Sequence, residues 1–359
     1  MDAATPPLDA SALRRFDALV SDAARAVSGR FFAEHPAVYA ARGERAREAC
    51  REDLAFHLEF LRPVLVFGFA QPMVEYLRWL GGVLAARDVA SEHLAVSLEW
   101  LAEFFLAGME TGEGKIVAAA LRRVREEYLR GDDGEPAIYG LMPARAPEAD
   151  PFEKALLDGD RRLAGSILDD WLDRGAGLVD AELHVIQPTL YRIGQRWQGN
   201  EVSVAQEHVA TAISQSVMTQ GLLRSLMPAG NGRRVALACV EGNDHAVGLQ
   251  MVADAFQLSG WDVDFLGADV PTRALIPHLR RRPPDLLGLS TSFAQQLPKV
   301  REIVAGLADF EPLRPAVIVG GLAINQFSHL AGMLGVDGWA PDALSAVGVG
   351  TGLTPKRSR

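Results

Sequence analysis

The chain has 359 residues, a length that suggests two or three domains. Lys and Arg number 36 against 46 Asp and Glu, a net charge of −10. That balance opposes a protein that coats nucleic acid by neutralising phosphates. At 48% hydrophobic and 23% charged the composition supports ordinary cores, and two distant cysteines, Cys50 and Cys239, exclude a disulfide framework and a Cys-type zinc site.

The opening stretch MDAATPPLDAS has neither a basic nor an apolar region, so no signal peptide is expected. The best apolar stretch, Val64 to Val74, is broken by Gly68, Gln71 and Pro72, so no membrane span is expected either. A cytoplasmic protein is the expectation.

Residues 1–130 read as helix, rich in Ala, Leu, Arg and Glu, with apolar positions three and four apart. Leu54, His57, Leu58 and Leu61 form one stripe, expected to end at Pro63. Val96, Leu98, Leu101, Phe104 and Phe105 belong to another. Segment 131–151 carries four prolines and three glycines and reads as a linker. Residues 152–230 return to helical pattern, in about four pieces separated at Gly159-Asp160, Gly175 to Gly177 and Gly199-Asn200, which suggests a four-helix cap. From 231 to 350 the pattern changes. Strands are expected at 235–240, 261–267, 285–291 and 316–321, with helical stretches between, the first over about 246–259. Repeated strand–helix units predict a doubly wound parallel sheet of flavodoxin-like type, and residues 351–359 are left as a tail. The fold class is thus α plus α/β. Ligands of such sheets sit at the carboxyl ends of the strands, which points to loops 241–248, 267–273, 290–294 and 320–325.

Those loops hold chemistry. The first contains Asn243, Asp244, His245 and Gly248; the third holds Ser290 and Ser292; the fourth holds Gly320 and Gly321. A loop histidine projects freely, hydroxyls donate to polar ligand edges, and glycines let a ligand approach closely. Neither G-x-G-x-x-G after the first strand nor G-x-x-x-x-G-K is present. The ordered set His245-x-x-Gly248, 41 residues, Ser290-x-Ser292, 27 residues, Gly320-Gly321 resembles the cobalamin-binding module of methionine synthase, corrinoid carriers, mutases and cobalamin photoreceptors. The resemblance implies that His245 is the axial cobalt ligand. It implies too that Ser290, Ser292, Gly320 and Gly321 line the pocket for the nucleotide tail. Asn243 stands where that family usually has an acid, which implies a weaker histidine–cobalt bond or a part for Asp244.

In the helical segment before it, Trp197 is followed after nine residues by Glu207-His208. This resembles the cap of cobalamin photoreceptors, which implies an indole over the upper face of adenosylcobalamin and a Glu-His pair near the upper ligand. A buried Trp closing a bundle beside a capping Glu-His fits the same pattern. Gln198 replaces the histidine that follows the tryptophan in the DNA-binding photoreceptors.

The N-terminal region has no basic recognition helix, so no direct nucleic-acid contact is expected. Arg47, Cys50, Arg51 and His57 lie along one helical segment. Arginines beside a histidine could hold the propionates of a bilin such as biliverdin. The same residues also fit an amphipathic helix with a satisfied core histidine. The layout of a helical, globin-like domain, a cap and a cobalamin module resembles the photocobilins. It implies a light sensor that signals through a homo-oligomer or a separate partner protein. A corrinoid methyl-transfer carrier and a non-sensing cobalamin protein are the alternatives. No acid–base dyad, nucleophile triad or zinc cluster argues for an independent enzyme.

Overall fold

Asp9 starts the first helix by accepting the backbone N–H groups of Ser11 and Ala12. The computed structural model describes residues 6–36, 43–87, 92–131, 144–310 and 314–354. The chain divides into two units, Met1–Pro136 and Ala137–Arg359.

The first unit contains α1 (Ala10–Glu34), α2 (Gly43–Phe67), α3 (Gln71–Ala85), α4 (Glu92–Gly108) and α5 (Thr111–Leu129) among the described residues. Their stripes meet as expected: Phe16 stacks on Phe105 at 5.0 Å, and Leu58, Leu61, Leu98, Leu101 and Leu121 are fully buried. Pro63 does not end α2, which continues to Phe67. A proline inside a helix costs about 3 kcal/mol. Burial of Val64, Leu65, Val66 and Phe67 beyond it offsets that cost.

His57 is 3% exposed, and its Nδ1 lies 2.8 Å from the Tyr76 hydroxyl. Tyr76 in turn stacks on Phe60 at 3.7 Å. Burial pushes the imidazole down to about 4, so the ring is neutral. A histidine whose folded value lies below its unfolded one stabilises above the ordinary value of 6.5 and loses that contribution as pH falls toward 4. Acidification across that window is expected to weaken this unit by about 3 kcal/mol. His57→Gln keeps a partner for Tyr76 without titrating and should flatten that limb. Urea unfolding at several pH values checks it.

The second unit opens with the helical cap: α6 (Ala149–Leu157), α7 (Arg161–Asp173), α8 (Leu178–Ala181), α9 (Gln187–Gln198) and α10 (Val204–Arg224). A π-turn, Glu182–Ile186, joins α8 to α9. The breaks fall at the three glycine-containing sites read from the sequence. The start differs, because α6 begins at Ala149, inside the segment expected as linker; positions 132–143 of that segment lie outside the described residues. Phe152, Leu156, Ala164, Ile193, Val217 and Met218 form the cap core. Met251, Ala255 and Ala343 of the following module belong to the same cluster, so the cap is seated on that module by apolar burial.

The module is a parallel sheet of β1 (Arg234–Val240), β2 (Asp262–Val270), β3 (Leu286–Ser290), β4 (Ala316–Gly320) and β5 (Gly338–Trp339), in order β2-β1-β3-β4-β5. Strands β1 and β3 are almost wholly buried, as continuous apolar runs in parallel sheets should be. The main connecting helices are α11 (Val247–Leu258), α12 (Thr272–Arg281), α13 (Leu297–Gly306), α14 (Leu322–Gln326) and α15 (Ala343–Leu353). Strand β5 was not foreseen: two residues carry no readable alternation. Strand β2 runs three residues beyond its expected end. Of the expected tail, 351–353 finish α15 and 355–359 lie outside the described residues. With this order the chain turns left after β1 and right after β3. Their loops therefore part and leave a crevice at the strand ends.

Candidate cofactor-binding site

His245 stands on the loop after β1, at the mouth of that crevice, with its outer side exposed. Its ring meets Phe293 edge-on, with centroids 5.2 Å apart. Desolvation lowers its pKa, against the pull of the Glu207 and Asp244 carboxylates. The neutral ring offers a nitrogen lone pair suited to a metal. Of those two carboxylates, Asp244 belongs to the same loop and Glu207 comes from α10 of the cap.

The loops are tied by buried amides. Asn243 is fully buried; its amide donates to the Ser290 carbonyl at 2.9 Å and its Oδ1 accepts the His245 backbone N–H at 3.2 Å. It therefore fixes the loop, and both of these bonds are to main chain rather than to the His245 ring. Gln296, which no motif singled out, spans the crevice. Its Nε2 donates to the Gly242 carbonyl at 2.7 Å and its Oε1 accepts the N–H groups of Ser292 and Phe293. A buried glutamine in this loop gives no sequence signal, because its function depends on contacts from two directions.

Ser290 ends β3 with its side chain mostly buried, and Ser292 is half-buried two residues on. The buried Cys239 thiol lies beside Ser290, pushed up to about 11 by burial, so it is no thiolate ligand. Gly321 takes a left-handed φ of 95°, and a Cβ there would lie 2.3 Å from the Thr291 carbonyl oxygen. Gly320 faces the Ala340 carbonyl, which a Cβ would approach to 3.0 Å. The glycine pair is thus required first by the packing of β4 on the Thr291 loop. At Gly248, in the first turn of α11, a Cβ would meet nothing within 4 Å, so open space lies over it.

In the cap, Trp197 sits in the last turn of α9, half-buried against the cap core. Ser203 and Gln206 close a capping box that starts α10 and places Glu207 and His208 in its first turn. Glu207 bonds His208 Nδ1 at 2.6 Å and accepts the Thr211 hydroxyl at 2.9 Å. Arg196 braces the corner between Trp197 and this pair, reaching Glu153 at 3.0 Å and Glu201 at 3.2 Å.

The N-terminal candidates are more scattered. Arg47 lies over the Phe32 ring at 4.7 Å. Arg51 pairs with Glu48 and with Glu44 at 3.6 Å. Burial and Asp53 push the Cys50 thiol up to about 11. His57 lies ten residues along α2 from Arg47, about 15 Å by helical rise. A second aromatic group was not foreseen. His35, just past the end of α1, and His93 on α4 have ring centroids 5.1 Å apart, both beside Phe31, which also packs against Trp100, a proximity that sequence distance conceals.

A doubly wound sheet with an imidazole at its switch point, preceded by a helical cap packed on it, defines a corrinoid-type binding module. Residues 233–348 match the B12 binding domain, and residues 148–220 match a second B12 binding domain family. The HTH-type transcriptional repressor CarA of Myxococcus xanthus is 28% identical over 60% of this chain and 73% of its own. CarH, a repressor of the same description and organism, is 27% identical over 71% and 85%. Dimethylamine corrinoid protein 3 of Methanosarcina mazei is 31% identical over 41% of this chain and 95% of its own. The chain belongs to the B12-binding family, and a cobalamin is its cofactor. The residues present suit that group: a neutral imidazole at the crevice mouth, open space over Gly248 and a side-chain-free edge at Gly320-Gly321.

Proposed function

We propose that this protein is a cobalamin-dependent light sensor and not itself an enzyme. His245 would hold the cobalt from below, with Ser290, Ser292, Gly320 and Gly321 along the nucleotide tail. Adenosylcobalamin, when bound, supplies a cobalt–carbon bond that visible light breaks. Trp197, Glu207 and His208 would close the upper side, excluding water and fixing the adenosyl group. The observation that carries this reading is the electrostatic pull of Glu207 on His245, which supports a cap whose Trp-x9-Glu-His end faces the axial position. A change of contents between them alters what Trp197 packs against, and the cap, seated on α11 and α15 by a shared apolar cluster, repacks. Output would pass through oligomerisation or a partner protein.

Absorption and size-exclusion profiles of the protein with adenosylcobalamin, in darkness and after green light, test this. A light-driven change in both supports the sensor; bound cobalamin with neither change removes it. Trp197→Ala should weaken adenosylcobalamin at least about tenfold more than hydroxocobalamin, as loss of aromatic packing worth 1.4 kcal/mol would. Equal losses would put the indole away from the upper face.

The second reading is a corrinoid methyl-transfer carrier, favoured by the relative named as a dimethylamine corrinoid protein, 95% of which this chain covers. It requires turnover with a methyl donor and a partner methyltransferase.

A bilin in the N-terminal unit, held by Arg47 and Arg51 with Cys50 and His57 on the same helix, would extend absorption to longer wavelengths. It is supported by the arginines on the outer turns of α2 and opposed by the pairing of His57 with Tyr76. A red band that co-elutes after addition of biliverdin decides it.

A further inference from the structure

Two carboxyls meet at the seam between cap and module. Glu182 opens the π-turn and is fully buried; Asp254 lies in α11 and is 4% exposed. Their chain neighbours Ala181, Leu183 and Ala255 belong to one apolar cluster with Met251 and Ala343. Neither Glu182 oxygen has a donor from a described group, and Asp254 Oδ2 has none. Asp254 is near enough to act on Glu182, and the elements around them, α8 before the π-turn and α11, pack against each other.

Two acceptors cannot bond without a proton between them. Two bare carboxylates here would lose their hydration and repel, a cost no neighbouring charge relieves. The elements packed around the pair are α6, α8, α9, α10, α15, β1 and β2. On those elements Glu153 pairs with Arg192 and Arg196, Asp150 with Arg145, Lys154 with Asp158, Glu207 with His208, Arg224 with Asp169 and Asp173, Arg234 with Asp262, and Asp264 with His278, and Asp269 accepts the Gly242 N–H. Asp180 of α8 is exposed, and His184 in the π-turn bonds the Asp180 carbonyl. Helix α15 carries no charge. The charge that acts on Glu182 is that of Asp254. A π-turn is a locally weakened helix, often kept at a functional position.

We infer that Glu182 and Asp254 share a proton that latches the cap onto the cobalamin module, and that release of this proton to solvent loosens the seam. Burial, then the neighbouring charge, raises Glu182; burial raises Asp254. A carboxyl raised in the folded state contributes fully at pH below its unfolded value, and that contribution is lost as pH climbs through the folded one. The seam is therefore tight in acid and at neutral pH and opens in alkali. This goes beyond the light-sensor reading and holds whether or not light acts on the cofactor.

The full chain, apo and loaded with hydroxocobalamin, tests it. Infrared spectra at pH 7 should show a protonated-carboxyl carbonyl band that Glu182→Gln removes. Hydrogen exchange of α8 and α9, corrected for its intrinsic pH dependence, should speed up about tenfold per pH unit once the proton is lost. In Glu182→Gln, whose amide mimics the protonated acid, that rise should vanish. Absence of the infrared band in the wild type, or an unchanged pH response in the variant, overturns the latch. So does stabilisation by Na⁺ or Ca²⁺ that Glu182→Gln abolishes, which would make the pair a cation site. Should Glu182→Gln not fold, Asp254→Asn takes its place, and the pH titration of the wild-type infrared band decides alone.

Discussion

Gly321→Ala is expected to cost the module about 3 kcal/mol or more, the range reserved for strained backbone combined with steric overlap. Two effects act together. A φ of 95° is penalised for any residue with a Cβ, and here that Cβ would fall 2.3 Å from the Thr291 carbonyl oxygen. Thr291 cannot retreat: it is fully buried, and its N–H bonds the Gly320 carbonyl at 3.0 Å. Any movement passes directly to Ser290 and Ser292 on either side. Gly248→Ala is the contrasting variant. Its Cβ enters open space in the first turn of α11, so stability should hold or rise by about 0.5–1 kcal/mol. Cobalamin affinity should nevertheless fall, because the added methyl occupies the ligand's approach. Urea unfolding beside equilibrium cobalamin titration separates the two. Full affinity in Gly248→Ala would mean that the ligand does not come near α11.

Three strands were legible as apolar runs rich in β-branched or leucine residues, and the second as an alternating segment, 261–267, each flanked by loop chemistry. The candidate loops were legible for a topological reason. Parallel strands bring their carboxyl ends to one edge, so motifs separated by 41 and 27 residues converge there. The cap's helix breaks could be read from glycine alone. What escaped depends on contacts between distant segments. Gln296 crosses from one loop to another, and Glu182 meets Asp254 across a helix seam. The N-terminal stripe was ambiguous for the same reason. A histidine on an apolar helix face has one pattern whether it faces a ligand or a tyrosine, and only the Tyr76 hydroxyl at 2.8 Å distinguishes them. Pro63 shows a local rule overridden, with four buried residues outweighing one lost hydrogen bond.

His245→Ala should abolish the histidine-bound cobalt spectrum while leaving measurable corrin binding. Loss of a group that merely supports a ligand costs metal sites 10- to 100-fold in affinity, so loss of the ligand itself should cost at least about that much. Binding should not vanish, because the loops proposed to hold the nucleotide tail do not depend on the imidazole. Asn243 is anchored to the Ser290 carbonyl and to the His245 backbone N–H, which alanine retains. Gln296 holds the Ser292 loop, and Gly320-Gly321 is fixed by Thr291 and Ala340. The substitution removes only an outward-facing ring in edge contact with Phe293, so the fold should be unaffected. Spectra and affinities for hydroxocobalamin, with unfolding curves alongside, separate ligation from folding. An unchanged spectrum would remove His245 as axial ligand, while complete loss of binding with intact stability would mean that the tail pocket contributes little on its own.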